Sequence, residues 1–180
     1  MTPWTRYRTL SSGKSTLRMA CGFLTSMHNE AVIREARFED LGRLVELYAS
    51  LARDPSAEDA STPVREEYER AFRAALADER QRTFVVERDG RVVASAVLIV
   101  VPNVTHLGRP FAIAENVVVD EGMRGQGIGG ELMRRLIDEA RSAGCYKLSL
   151  TSHVSREDAH RFYEGLGFLH SHKGFRVDFG

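Results

Sequence analysis

The sequence predicts one α/β domain over residues 31–180, with a mixed but mostly antiparallel sheet of six to seven strands flanked by about four helices. Three observations predict it. An apolar β-branched run ending in Val117, Val118 and Val119 passes through a polar turn into glycines, then a helical stripe, then a further β-rich run. A crossover of that length implies that the two strands pair in parallel. Residues 83–88 and 91–101 flank Asp89-Gly90, the strongest short hairpin signal, because a type I′ turn needs positive φ at both central positions. Finally, 180 residues at 43% hydrophobic and 28% charged are the length and composition of one ordinary globular domain.

In chain order, residues 1–30 form an expected flexible or mis-annotated extension. Arg6, Arg8, Lys14 and Arg18 meet no acid before Glu30, no apolar h-region marks an export signal, and translation starting at Met27 is the alternative. Within it, Ser11-Ser12-Gly13-Lys14-Ser15-Thr16 imitates the end of a P-loop but lacks the earlier glycine and the preceding strand. Residues 31–37 alternate as a strand, and Leu41, Leu44, Val45, Tyr48 and Leu51 recur at helical spacing. After a polar loop over residues 53–61, Thr62-Pro63 supplies a cap and first-turn proline for a helix carrying Val64, Tyr68, Ala71, Phe72, Ala75 and Leu76. The hairpin comes next, then a loop over residues 102–110 whose Asn103-Val104-Thr105 glycosylation match is chance without a secretory signal, then a strand over residues 111–119. The next helix places Ile128, Leu132, Met133, Leu136, Ile137 and Ala140 inward, Ala143-Gly144 ends it, and residues 146–150 form a strand. A helix over residues 155–166 carries Ala159, Phe162, Tyr163 and Leu166 on one side, and residues 168–170 and 175–179 are closing strands.

Charge is balanced, 25 basic against 25 acidic residues, so no bulk field argues for a nucleic-acid or membrane partner. Cys21 and Cys145 have neither disulfide-framework nor metal-ligand spacing, so no metal is expected, a reducing cytoplasm fits, and Cys145 reads as a buried small hydrophobe. No apolar run approaches the roughly 18 residues that cross a bilayer.

The glycine stretch is the richest in chemistry. Amides at a helix start lack intrahelical partners and carry partial positive charge, so strand, glycine loop and helix make an anion site. Gly125, Gly127 and Gly130 satisfy the dinucleotide fingerprint G-x-G-x-x-G, but five residues separate Val119 from Gly125 and no acid ends the next strand. Arg124-Gly125-Gln126-Gly127-Ile128-Gly129 instead resembles the Q/R-x-x-G-x-G/A motif of the GNAT family of acetyl-CoA-dependent N-acetyltransferases, in its bacterial small-molecule type. His160-Arg161-Phe162-Tyr163-Glu164-Gly165-Leu166-Gly167-Phe168 looks like that family's A-x-x-F-Y-x-x-x-G-F signature, and the element order also resembles it end to end.

The resemblance implies the GNAT fold, with a splay between the two central strands. It implies acetyl-CoA as cosubstrate, its diphosphate on the amides of Arg124, Gly125, Gln126, Gly127, Ile128, Gly129 and Gly130, and its arm paired with the backbone of Val117, Val118 and Val119. The family's asparagine near the start of the penultimate helix is absent, with Ser155 and Arg156 in its place.

Acetyl transfer to an amine needs a base, an oxyanion donor and an acid for the leaving thiolate. Glu115, the one ionisable side chain in residues 111–119, is the candidate base; an N–H around Val117 is the oxyanion donor. The resemblance makes Tyr163 the acid; His160, one turn earlier on the same helix face, is a substitute, and a covalent route through Cys145 is disfavoured. Partial likenesses to hexosamine-phosphate and aminoalkylphosphonate acetyltransferases imply a small anionic amine as partner, with Arg109, Arg156, Arg161, His106 and Lys173 available for its charge. A non-catalytic acyl-CoA-binding module and acetylation of a protein or peptide amine are the alternatives, and a homodimer is compatible with the family.

Overall fold

The computed structural model describes residues 31–51, 65–177 and 179. The expected extension over residues 1–30, with Cys21 and Met27, and the Thr62-Pro63 helix start lie outside the described residues.

Five strands form one sheet in sequence order: β1 (Val32–Glu35), β2 (Gln81–Arg88), β3 (Arg91–Val101), β4 (Phe111–Val119) and β5 (Leu148–Ser149). The first three junctions are antiparallel and β4–β5 is parallel, as expected from the hairpin and the crossover. Asp89 and Gly90 both take positive φ, +55° and +70°, so the turn residues meet the type I′ requirement. Helices α1 (Leu41–Ala49) and α2 (Glu66–Ala77) cover one face, where Leu44 and Leu47 pack with Val85, Val92 and Val118. Helix α3 (Ile128–Ser142) covers the other, burying Leu132, Met133 and Leu136 against Phe84, Ala96 and Ala114. Each of those three side chains contributes about 1.5–3 kcal/mol by leaving water. Helix α4 (Glu157–Gly165) ends the described elements, with Phe162 and Tyr163 against the α3-side core.

The sheet has five strands among the described residues rather than six to seven. Neither residues 168–170 nor the described part of residues 175–179 form a strand. Their alternation gives strand propensity, but a strand needs a partner ladder. The neighbouring β5 is only two residues long, and Leu169, Phe175 and Val177 remain exposed. The expected strand over residues 146–150 contracts to Leu148–Ser149 because β4 and β5 pair only at Ala112 with Leu148 and Ile113 with Ser149, then diverge.

Two local devices shape the end of β4. Opposite Ala96, the strand carries two residues, Asn116 and Val117, because Val97 pairs with Glu115 and Ser95 with Val118. Asn116 takes φ +52°, a left-handed conformation that asparagine tolerates better than the β-branched residues around it. At the strand's end, Asp120 accepts the Gly122 N–H at 3.1 Å and the Arg43 guanidinium of α1, while its own N–H donates to Val93 O at 2.8 Å. Desolvation opposes ionisation of Asp120, but the Gly122 N–H and the Arg43 and Arg91 guanidiniums outweigh it and hold the carboxyl below its usual range.

Candidate active site

Beyond Ile113 the edge of β4 has no strand partner among the described residues, and the chain after β5 runs away from it. A cleft of about 1220 Å³ fills the gap. One wall is β4; the facing wall is residues 150–153 and the start of α4; the end of α1, at Ser50 and Leu51, closes a third side.

At one end of the cleft lies the glycine loop. Asp120 opens a 3-10 turn, Glu121–Met123, and the chain reaches α3 through Gly125 and Gly127 at φ +76° and +82°. Both are conformations a side chain would strain. The third glycine serves packing: a Cβ on Gly129 would stand 3.3 Å from Val119 Cγ2 and 3.4 Å from Phe162 Cζ, so its absence lets the start of α3 approach β4 and α4. No side chain caps α3. Its first intrahelical bond is Glu131 N–H to Gly127 O at 3.1 Å, and among the described residues the amides of residues 125–130 make no hydrogen bond. Consecutive unbonded amides at a helix start are suited to a diphosphate.

Glu115, the residue before the bulge, and Tyr163 both line the cleft. Ala114 faces the α3 core, so strand alternation turns Glu115 to the opposite face, beside Val97. Tyr163 comes from α4, its ring 5.2 Å from Phe162 and 5.8 Å from Phe168. Burial pushes the Tyr163 phenol above its ordinary value of 10.0; the Arg156 guanidinium opposes this and the Glu115 carboxylate adds to it. Tyr163 therefore senses both groups and remains a protonated donor at neutral pH.

Of the residues singled out in the sequence, Glu115, Tyr163, Val117, Val118, Val119, Arg124, Gly125, Gly127, Ile128, Gly129 and Gly130 all line this one cleft. Gln126 does not: its side chain accepts from Arg88 at 2.6 Å and donates to Gly122 O at 3.3 Å, bracing the loop from behind. His160 is also outside the lining, with Nε2 3.0 Å from His153 O. Cys145 is buried among α3-side core residues, where desolvation pushes its thiol up against the smaller opposing effect of Arg109.

The candidate cations separate. Arg109 donates to the Gly144 and Cys145 carbonyls and His106 stacks on Tyr146 at 3.8 Å, both outside the cleft lining, as is Lys173. Arg156 and Arg161 line it. Among the features that escaped sequence reasoning are Arg176, a further cation on the lining, the β4 bulge and the end of α1. The Asn116–Val117 bulge carried one signal, an asparagine amid β-branched residues; the contribution of Ser50 and Leu51 carried none. Among the described residues no group of acidic, His and Cys side chains has a metal-binding arrangement, and no helix is long and apolar enough to cross a membrane.

The model of the acetyltransferase (GNAT) family matches residues 44–168. The chain is 40% identical over 111 residues to a glucosamine 6-phosphate N-acetyltransferase of Trypanosoma brucei brucei, covering 58% of this chain and 74% of that protein. It is 36% identical over 104 residues to an aminoalkylphosphonate N-acetyltransferase of Salmonella typhimurium, covering 58% and 67%. Among solved structures it superposes on a Bacillus halodurans protein described as a transcriptional regulator, with TM-score 0.79 and 33% identity over 83% of this chain and 100% of that one.

Proposed function

Because the chain belongs to the acetyltransferase (GNAT) family, we propose that it transfers acetyl directly from acetyl-CoA to the primary amine of a small molecule, and that this acceptor is anionic, an amino-sugar phosphate or aminophosphonate. The observation that carries the proposal is the pairing of Glu115 with Tyr163 in one cleft whose far end is a run of unbonded amides.

The residues fit acetyl-CoA as cosubstrate. The amides of residues 125–130 would hold its diphosphate, and the open edge of β4 at Val117, Val118 and Val119 would take its extended arm as an added strand. The thioester would then lie beside the bulge, where an N–H near Val117 is positioned to stabilise the oxyanion. In the reaction a C–N bond forms and the C–S bond breaks. The amine's proton passes to Glu115, directly or through a water, and Tyr163 supplies a proton to the departing sulfur. Cys145, buried away from the cleft, takes no part, which supports direct transfer over an acyl-enzyme. The Trypanosoma and Salmonella relatives are named for amines that carry a phosphoryl or phosphonyl group, and this supports an anionic acceptor.

The test is steady-state release of free CoA across a panel of phosphorylated, phosphonylated and uncharged amines, with peptide amines included. Release with small amines is expected. CoA binding without release above background would make the protein a binding module, and release with peptides alone would move the acceptor class.

A further inference from the structure

We infer that Arg156 holds the anionic group of the acceptor and is the residue that selects phosphorylated or phosphonylated amines. The inference rests on the acetyltransferase reading and assigns a specificity determinant within its site.

Arg156 stands directly before α4 and donates to the Leu51 carbonyl at 3.1 Å, across 105 positions of sequence. It therefore spans two walls of the cleft, the end of α1 and the start of α4, on the side where Glu115 and Tyr163 sit. Among the described residues no carboxylate forms an ion pair with it, whereas Arg124 pairs with Glu121 at 3.4 Å and Arg161 pairs with Glu157 and Asp158 of its own helix. A half-buried guanidinium given one neutral carbonyl keeps most of its five donors for a ligand, and its planar fork matches a phosphoryl or phosphonyl group two bonds at a time. The diphosphate of the cosubstrate is provided for elsewhere, by the amides of residues 125–130 beyond the far end of β4. An amine seated between Glu115 and Tyr163 would carry its anionic end to Arg156, which would set the acceptor's orientation as well as its class.

The experiment uses the full chain with two matched acceptor pairs, glucosamine 6-phosphate with glucosamine and 2-aminoethylphosphonate with propylamine. In the wild type, the charged member of at least one pair is expected to have the higher kcat/KM. Arg156→Gln should lower the charged-to-uncharged ratio of kcat/KM for that pair by about 10- to 100-fold, the loss of one charge-assisted contact. Arg156→Lys, which keeps the charge without the fork, should recover part of the ratio. Inorganic phosphate should compete with the charged acceptor in the wild type and lose potency in Arg156→Gln. Thermal melting of each variant with CoA checks that the fold survives.

A wild type without preference for the charged member overturns the inference and leaves the acetyltransferase reading intact. So does an equal loss for both members in Arg156→Gln, which makes the residue a tie between α1 and α4, or a change confined to KM for acetyl-CoA. Absence of CoA release with every amine in the wild type would remove the acetyltransferase reading itself.

Discussion

Replacing Tyr163 by phenylalanine removes one oxygen from a ring whose packing is otherwise preserved. The contacts with Phe162 at 5.2 Å and Phe168 at 5.8 Å involve only the ring, so the variant should fold. What is lost is a proton donor that burial and Glu115 hold in its protonated form, against the pull of Arg156. General acid catalysis contributes about 10²–10⁴ in rate. A thiol titrates near pH 8.5, so a thiolate is already a fair leaving group and the lower end applies. The expected loss is about 100-fold in kcat, or about 2.7 kcal/mol of transition-state stabilisation. Steady-state CoA release at saturating acceptor, with acetyl-CoA varied, reads kcat and KM separately. The fall should be in kcat and kcat/KM together, the signature of an interaction made only in the transition state. Because the acid must be protonated, wild-type activity should decline as pH rises through the Tyr163 value, above 10.0, and the Tyr163→Phe variant should lack that limb. A Tyr163→Phe enzyme with wild-type kcat, or one altered only in KM, would refute the assignment.

Three further outcomes are expected. Glu115→Gln should lower kcat by about 10²–10⁴ while calorimetric titration finds CoA affinity retained, since the carboxylate is assigned to the acceptor's proton and not to the cosubstrate. Gly127→Ala imposes a left-handed conformation on an L-residue at about 1–2 kcal/mol, with nothing within 4 Å of the new Cβ, so it should melt a few degrees lower and bind CoA more weakly through a displaced loop. Asp40→Asn removes the carboxylate held below its ordinary 3.8 chiefly by Arg34, at 2.7 Å, and should cost about 1–3 kcal/mol by urea unfolding near neutral pH. A depressed pKa stabilises above the unfolded value and loses that contribution as pH falls through the folded one. The gap between Asp40→Asn and wild type should therefore close below about pH 3.8.

What was legible in the sequence was what short segments decide by themselves. The Asp89-Gly90 turn, the α3 stripe and the glycine loop each depend on conformational preferences within a few residues. Glu115 and Tyr163 were legible as chemistry, an acid in an apolar strand and a tyrosine in a recognisable helix, and they line one cleft. The bulge at Asn116 was less so, because register is settled between strands. Arg156 was visible as a cation, but its place depends on the end of α1 reaching the start of α4. The expected strands near the C-terminus failed for the complementary reason: Phe175 and Val177 alternate correctly but have no ladder to join.

The bulge joins the two halves of the site. On an unbroken β4, alternation from Ala112 and Ala114 would put Ile113, Glu115 and Val117 on the face covered by α1 and α2. The extra residue advances the phase by one, so Val118 enters the α1-side cluster while Val117 and Val119 pack toward α3. Val119 then stands beside Gly129, whose missing Cβ lets α3 begin against the strand, and Asp120 turns the chain into the glycine loop. Without the shift, Val119 would point toward α1 and the loop would leave from the wrong face relative to Glu115. One additional residue thus leaves Glu115 on the α1 face while turning Val119, and the glycine loop that follows it, toward α3. The strain of a left-handed asparagine, of order 1–3 kcal/mol, is held by the β3 pairs that flank the bulge, Val97 with Glu115 and Ser95 with Val118, and by Arg43 and Asp120 at the strand's end.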